Sequence, residues 1–166
     1  VLDPHSSVSE ALIDKIVIKQ PDKYVWEAID SKYIGGTNNL TMFFPDEGAM
    51  KRYSTMFDLP YAFGIKKRDW ETGEIKGLDV SGMTDLIKGR KILIVDDISS
   101  RGGTFYHSSK KLKELGAKEI YLYVSHCENT ILEGEVLSSG LIDRVFTTNS
   151  IFTKEHEKVE VFEYEE

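Results

Sequence analysis

Residues 92–104, with the sequence ILIVDDISSRGGT, join an apolar run to two acidic residues and a glycine-rich segment. With Lys91 in front, the run reads KILIV and suits a buried central strand, because unbroken apolar runs are typical of strands covered on both faces. Glycines let the backbone wrap closely around an anion, and the amides at the start of a helix attract one. The stretch therefore predicts a strand, an anion-binding loop and a helix in succession.

The loop and the acidic residues before it suit different parts of one ligand. Asp96 and Asp97 would repel a phosphate, so their targets are the vicinal hydroxyls of a sugar or a divalent cation. Three or four charge-assisted hydrogen bonds, each on the order of 1.5 to 3 kcal/mol, would hold a monophosphate in the loop. Ribose 5-phosphate suits both parts, because its hydroxyls can bind the acidic pair and its phosphate can bind the loop. The residues expected to hold it are Asp96, Asp97, Ser99, Ser100, Arg101, Gly102, Gly103 and Thr104.

Other interpretations of this stretch explain less of it. The spacing is neither G-x-x-x-x-G-K-[ST], which cradles nucleoside triphosphates, nor G-x-G-x-x-G, which binds dinucleotides. A plain strand-to-helix turn is the structural alternative, but such a turn needs only one acid and one glycine. We therefore favour a loop that binds a sugar phosphate.

The rest of the chain alternates strands with helices, which predicts an α/β fold with a parallel sheet covered on both faces. Apolar runs predict strands at residues 40–44, 61–65, 91–95 and 120–126, and late strands at 143–149 and 159–165. Helices are predicted at residues 49–57, from Gly103 to a cap at Gly116, and at 131–138. A basic patch at 66–68 precedes a polar hairpin or flap through residues 74–80.

Size and composition limit the function. The 166 residues, 40% of them hydrophobic, suit one domain over residues 1–166. A formal net charge of -7 argues against a nucleic-acid or anionic-membrane surface, so any phosphate site must be local. Cys127 is the single cysteine, which excludes an intrachain disulfide and favours a reducing compartment. On that ground we expect a cytoplasmic protein, and no apolar run approaches the ~20 residues that a membrane span needs.

Four apolar residues, then Asp96 and Asp97, and later the sequence GGT at 102–104 resemble the phosphoribosyl pyrophosphate signature of type I phosphoribosyltransferases and ribose-phosphate diphosphokinases. The diphosphokinases are also similar at DPH (3–5), PDEGAMKR (45–52), KKR (66–68) and SHCENTILEGEVLSSGLIDRVFTTNSI (125–151). The resemblance covers almost the whole chain. It implies a three-layer, Rossmann-like type I phosphoribosyltransferase fold, and a reaction that converts ribose 5-phosphate and Mg-ATP into phosphoribosyl pyrophosphate and AMP.

The resemblance also implies roles for residues ahead of the loop. His5 and Asp46 match positions that bind Mg²⁺ associated with ATP, although His5 taken alone suits a hydrogen-bonded loop histidine. Asp46, Glu47 and Gly48 match the pyrophosphate loop, whose backbone would hold the first phosphate of the product. Taken alone, Asp46 suits the N-cap of a helix.

Lys66 and Arg68 match the catalytic lysine and arginine of the family's flexible loop, although a short charge run alone suits a solvated turn. From the sequence alone, Arg52 is interpreted as a solvated residue on a helix face.

Ser100 and Arg101 depart from the Asp-Thr pair of most family members. Ser100 keeps a hydrogen-bond donor, and Arg101 adds a cation beside the 5-phosphate.

The resemblance corresponds to the C-terminal part of that family, and the chain begins abruptly at Val1. We therefore expect an upstream half-domain, and a homo-oligomer, because the family builds much of its adenine pocket from upstream residues and a neighbouring subunit. Two alternatives stay open. A phosphoribosyltransferase would use the same pyrophosphate compound and a nitrogenous base, and a non-catalytic regulatory subunit would only assemble with others.

Overall fold

One sheet of seven strands organises the chain. The computed structural model describes residues 1–68, 70–72 and 75–164, without the side chains of Arg68, Ile75 and Lys76. The strands are β1 (Leu40–Phe44), β2 (Tyr61–Arg68), β3 (Ile75–Gly82), β4 (Lys91–Ser99), β5 (Glu119–Cys127), β6 (Arg144–Thr148) and β7 (Val159–Phe162). They lie in the order β3-β2-β1-β4-β5-β6-β7, and every neighbouring pair is parallel except β2 with β3.

Helices cover both faces of this sheet. They are α1 (Ser7–Leu12), α2 (Asp22–Asp30), α3 (Glu47–Tyr53), α4 (Gly103–Glu114) and α5 (Glu135–Ser138), with 3-10 turns at Thr84–Leu86 and Asn129–Glu133. Side chains of β4 alternate between the faces: Leu93 and Val95 pack with α2 and α3, while Ile92 and Ile94 pack with α4 and α5. This is the three-layer α/β fold that the sequence predicts, with β4 at its centre.

Several boundaries differ from the predicted ones. β2 runs to Arg68 and β4 to Ser99, so the basic patch and the acidic pair lie on strands rather than in loops. The helix predicted at 49–57 begins at Glu47 and ends at Tyr53. The predicted flap forms β3, the antiparallel partner of β2, although Glu74 lies outside the described residues. In the described part of the chain, no helix combines the length and apolarity needed to cross a bilayer.

The helix predicted at residues 131–138 is interrupted at Gly134. A Cβ atom on Gly134 would lie 1.9 Å from the carbonyl oxygen of Arg101, so only glycine allows this approach. The residues before Gly134 form a 3-10 turn and those after it form α5. This contact anchors the β4–α4 loop to the segment between β5 and β6.

Gly134→Ala is expected to lower the free energy of unfolding by about 1 to 3 kcal/mol, because the added methyl group would force two backbone segments apart. Urea denaturation measures the change. Gly77→Ala is the matched control, since a Cβ on Gly77 meets nothing within 4 Å. An equal loss in both variants would contradict the steric explanation.

Candidate active site

The carboxyl ends of β1, β2 and β4 open onto one cavity of about 1030 Å³. The chain leaves β1 toward one edge of the sheet and β4 toward the other, so the cavity lies at the switch point where open α/β sheets bind ligands. The residues predicted from the sequence that line this cavity are His5, Asp46, Glu47, Gly48, Lys66, Asp96 and Asp97. The fold thus brings half of the predicted site residues together from distant parts of the chain.

Asp46 is the N-cap of α3 and follows β1 after one residue, Pro45. Its Oδ1 accepts a hydrogen bond from the Ala49 amide at 3.0 Å, and its Oδ2 accepts one from Lys66 Nζ at 3.3 Å. Burial alone would raise the pKa of Asp46, but these hydrogen bonds lower it. The N-cap alternative for Asp46 is therefore confirmed, and the same carboxylate also holds the lysine of β2 in the cavity.

Gly64 explains how β2 brings Lys66 over the start of α3. A Cβ on Gly64 would lie 2.5 Å from the Pro45 carbonyl oxygen, so any side chain there would push β2 away. Lys66 follows two residues later and points to the same side of the strand. Lys67 points to the other side, where it pairs with Asp79 at 2.7 Å. Of these two lysines, only Lys66 therefore lines the cavity.

Arg52 binds both carboxylates of the acidic pair. Its Nη1 donates to Asp97 Oδ2 at 2.9 Å, and its Nη2 donates to Asp96 Oδ1 at 3.3 Å. Nη1 also reaches the carbonyl oxygen of His5 at 3.3 Å, and the guanidinium carbon lies 4.9 Å from the centre of the Tyr53 ring. The interpretation of Arg52 as a solvated residue is wrong. Arg52 is the cation that compensates the acidic pair.

The two adjacent carboxyl groups titrate differently. Burial and the charge of Asp97 raise the pKa of Asp96 to about 7. Burial would raise the pKa of Asp97 too, but hydrogen bonds from Arg52 and His5 lower it to about 2. Asp97 is therefore ionised throughout the physiological pH range, whereas Asp96 gains and loses its proton near neutrality.

Asp96→Asn is expected to change how stability depends on pH in the ligand-free protein. Wild type keeps the Asp96 proton up to about pH 7 when folded but releases it near 3.8 when unfolded, so its unfolding free energy falls as pH rises between these values. The variant lacks this proton. Its stability relative to wild type should rise over the same window by on the order of 2 to 4 kcal/mol. Urea denaturation at several pH values measures both curves, and parallel curves would contradict the raised pKa.

A buried hydrogen-bond network holds the N-terminal segment beside the acidic pair. Asp3 accepts hydrogen bonds from the Tyr53 hydroxyl at 2.9 Å and from the Ser125 hydroxyl at 2.5 Å. Burial raises the pKa of Asp3, and these hydrogen bonds oppose the rise. Two residues later, His5 Nδ1 shares a hydrogen bond with Asp97 Oδ2. Asp3 belongs to the DPH segment that resembles the diphosphokinases, but sequence reasoning gave it no role, because its partners Tyr53 and Ser125 lie far away along the chain.

The predicted phosphate loop begins at Ser100 rather than at Ser99. Ser99 ends β4 and is buried, and its hydroxyl donates to the Ser100 carbonyl oxygen at 3.3 Å. Ser99 thus lies buried at the end of the strand, and its contact with the phosphate stays a prediction. Gly102 has a φ of 79°, and a Cβ there would lie 2.2 Å from Val136 Cγ2, so the turn requires glycine.

The first two residues of α4, Gly103 and Thr104, are exposed. Among the described residues, no hydrogen bond engages the amides of Gly103 and Thr104, and no side chain caps the helix. The guanidinium of Arg101 forms an ion pair with Glu133, with 2.9 Å between Nη2 and Oε2. Thr104 lines a second cavity, of about 520 Å³, which it shares with Lys66. The loop and the acidic pair thus lie on either side of Lys66.

Comparison with known proteins identifies the family. The model of the phosphoribosyl transferase domain matches residues 48–163. The chain belongs to this family. Ribose-phosphate pyrophosphokinase of Pyrococcus abyssi is 33% identical over 146 residues, which cover 85% of this chain and 48% of that protein. Ribose-phosphate pyrophosphokinase of Sulfolobus acidocaldarius is 30% identical over 156 residues, which cover 91% of this chain and 51% of that protein.

Solved structures share the phosphoribosyl transferase fold. Phosphoribosylpyrophosphate synthetase from Mycobacterium smegmatis superposes with a TM-score of 0.76 at 21% identity, over 98% of this chain and 53% of that one. Purine phosphoribosyltransferase from Pyrococcus horikoshii gives a TM-score of 0.51 at 20% identity, over 87% of this chain and 88% of that one. The chain spans about half the length of the curated relatives it matches.

Two predicted features of this phosphoribosyl transferase domain stay predictions. Arg68 pairs through its backbone with Ile75 at the end of the β2–β3 hairpin, but its side chain lies outside the described part. Within the described ranges, no group of three or more His, Cys, Asp or Glu residues could hold a metal ion. His5 and Asp46 would therefore need further oxygen ligands to bind Mg²⁺.

Proposed function

We propose that this phosphoribosyl transferase domain belongs to a ribose-phosphate diphosphokinase. The enzyme would transfer a diphosphoryl group from ATP to O1 of ribose 5-phosphate, giving phosphoribosyl pyrophosphate and AMP. The observation that carries the proposal is the meeting of an acidic pair, an open glycine-rich loop and a lysine at one switch point of the sheet. The names of the curated relatives support the same reaction.

The acidic pair would bind the hydroxyls of ribose 5-phosphate, and the loop would bind its phosphate. Ionised Asp97 can accept hydrogen bonds from the ribose hydroxyls, and Asp96 can do so once it loses its proton near neutral pH. The amides of Gly103 and Thr104, together with the α4 dipole, suit the 5-phosphate. Ser100 supplies a further hydroxyl at the loop. Orientation of the sugar at both ends would leave O1 directed toward Lys66.

Lys66 would stabilise the negative charge of the diphosphoryl group during transfer, because phosphoryl transfer depends on positioning and on cations rather than on covalent catalysis. Its ammonium already lies in the cavity, 3.3 Å from Asp46 Oδ2. Arg68, two residues further along β2, is assigned the same role. The backbone amides of Glu47 and Gly48, which line the cavity beside Asp46, would hold the transferred phosphates.

His5 and Asp46 would hold Mg²⁺. A histidine that binds a metal commonly donates its other ring N–H to a carboxylate, and His5 Nδ1 bonds Asp97, which leaves Nε2 for the ion. Both residues line the same cavity, and phosphate oxygens with water would complete the coordination. When bound, the ion neutralises charge on the ATP phosphates.

We further propose that residues 1–166 act as one domain of this enzyme, in a homo-oligomer of the cytoplasm. The cavity at the switch point offers groups for the sugar and the phosphates, whereas no aromatic ring other than His5 and Tyr53 lines it among the described residues. The adenine of ATP would therefore contact residues beyond this cavity, as a neighbouring subunit could supply.

An AMP-release assay tests the reaction. The purified protein is incubated with Mg-ATP, with and without ribose 5-phosphate, and we expect AMP only with the sugar. Absence of sugar-dependent AMP rejects the proposal. Release of pyrophosphate that requires phosphoribosyl pyrophosphate and a nitrogenous base would favour a phosphoribosyltransferase instead. Calorimetry that detects no binding of ribose 5-phosphate would favour a non-catalytic subunit.

A further inference from the structure

Residues 2–5 carry the histidine that is proposed to bind Mg²⁺, and the place of its ring depends on this segment. The side chain of His5 is 80% exposed, and its ring bonds Asp97. An exposed side chain gains little from packing, and one hydrogen bond must oppose its rotamer freedom. The backbone from Leu2 to Pro4 therefore decides whether the ring stays where a metal ion can reach it.

The backbone of this segment has an unusual conformation at Asp3. Its φ is 40°, in the left-handed region that residues other than glycine adopt rarely. Such a conformation persists where the surrounding structure determines it. The Asp3 amide donates to the Lys19 carbonyl oxygen at 2.9 Å, and its carboxylate accepts the Tyr53 and Ser125 hydroxyls. Contacts on several sides thus set the direction in which the chain continues to His5.

His126, in the last turn of the β5 strand before its end, supplies a contact one residue earlier. Its Nε2 lies 3.0 Å from the carbonyl oxygen of Leu2. Because a carbonyl oxygen only accepts hydrogen bonds, Nε2 carries the proton and donates it. The other ring nitrogen, Nδ1, lies 2.8 Å from the Ser150 hydroxyl oxygen. The imidazole is therefore fixed at both nitrogens, and it joins the N-terminal segment to the residues that follow β6.

We propose that His126 is a positioning residue, which holds residues 2–5 so that His5 can bind Mg²⁺. This role rests on the proposed function of His5 as a metal ligand. His126 is not part of the lining of the cavity at the switch point, so it would act through the backbone rather than by contact with substrate or metal. Its neighbour Ser125 bonds Asp3, so the end of β5 holds two successive residues of the segment.

Two substitutions separate the contact with Leu2 from the rest of the His126 side chain. His126→Gln can place an amide N–H near the position of Nε2, whereas the shorter His126→Asn can keep only the contact with Ser150. AMP release is measured at fixed ATP with varied Mg²⁺, and then with varied ribose 5-phosphate. We expect His126→Asn to raise the half-maximal Mg²⁺ concentration about three- to tenfold, with a smaller change in KM for the sugar. His126→Gln should stay within about twofold of wild type. Equal Mg²⁺ requirements in the two variants would contradict the proposal.

A double-mutant cycle tests whether His126 acts through His5. His5→Ala should itself raise the Mg²⁺ requirement, and adding His126→Asn should raise it no further, because no ring is left to position. A further rise of the same size as in the wild-type background would overturn the proposal, since His126 would then support the site by another route.

Ser150→Ala gives a second approach if His126→Asn does not fold. It leaves His126 intact but removes the partner of Nδ1, so the ring is held less firmly against Leu2. The Mg²⁺ requirement should rise in the same direction by a smaller factor. An unchanged requirement in a folded Ser150→Ala variant would count against the positioning role.

Nitrogen-15 NMR of the ligand-free protein tests the same contact without turnover. At about pH 8.5 an imidazole is neutral, and the shifts of its two nitrogens identify the tautomer. His5→Ala identifies the His5 signals among those of the four histidines. We expect the His5 proton on Nδ1, facing Asp97, in wild type and in His126→Gln, but a mixture of tautomers in His126→Asn.

This spectrum separates the positioning role from the proposed reaction. A protein that forms no AMP but shows the tautomer change would keep the role of His126 and lose only the reaction. An unchanged His5 tautomer in His126→Asn would overturn the positioning role, whether or not the protein forms AMP.

Discussion

Lys66→Ala is expected to lower kcat for sugar-dependent AMP release by about 10²- to 10³-fold, with a much smaller change in KM for ribose 5-phosphate. Lys66 would act mainly when negative charge moves onto the transferred group, because its ammonium lies by Asp46 rather than by the acidic pair that would bind the sugar. Initial rates at saturating and limiting sugar separate the two constants. Asp46 keeps its bond to the Ala49 amide in the variant, so α3 should stay capped.

Lys67→Ala is the matched control for this prediction. Lys67 is the next residue of β2, carries the same charge and points to the opposite side, where it pairs with Asp79. Its side chain is 61% exposed, so its removal should leave kcat within about twofold of wild type. Equal losses in the two variants would assign the effect to the hairpin as a whole. An unchanged kcat in Lys66→Ala would remove this lysine from the mechanism.

The features that could be predicted from the sequence are those that a short stretch determines. The apolar run before Asp96 predicts a buried central strand, and β4 occupies that place in the sheet. The glycines after it predict a turn that needs no side chain, and Gly102 has the left-handed conformation that such a turn requires. The helical spacing of apolar residues after Gly103 also predicted α4, whose buried residues include Phe105 and Leu112. In each case the local pattern and the tertiary environment favour the same structure.

Features that depend on distant partners could not be predicted in this way. Arg52 reads as a surface cation because its partners, Asp96 and Asp97, lie 44 and 45 positions away along the chain. The break at Gly134 depends on the Arg101 carbonyl oxygen, which belongs to another loop. α1 has only six residues, and its apolar side chains Val8 and Leu12 are exposed, so no core contact supports its short pattern. α2 did carry a signal, since its buried residues Tyr24, Val25, Ala28 and Ile29 follow helical spacing.

Arg52→Gln is expected to lower the free energy of unfolding by about 2 to 4 kcal/mol at pH 7, because it removes the cation that compensates a buried carboxylate. The side chain of Asp97 is only 3% exposed, so water compensates its charge less well than the guanidinium does. Arg52→Lys should recover only part of the loss, since one ammonium cannot donate to both carboxylates as the guanidinium does. Urea denaturation of the three proteins measures these differences. Lys51→Gln, at an exposed position of the same helix, is the control for charge alone.

The pH dependence of this loss distinguishes an electrostatic role of Arg52 from simple packing. The folded-state pKa of Asp97 is lowered to about 2 from 3.8, so the stabilisation from its ion pair is complete above pH 4 and is lost as pH falls toward 2. The deficit of Arg52→Gln should therefore be largest above pH 4 and should shrink below it. In an Asp96→Asn/Asp97→Asn background, where neither carboxylate needs compensation, most of the deficit should disappear at pH 7. A deficit that is equal in both backgrounds would mean that Arg52 stabilises the fold through its contact with the Tyr53 ring instead.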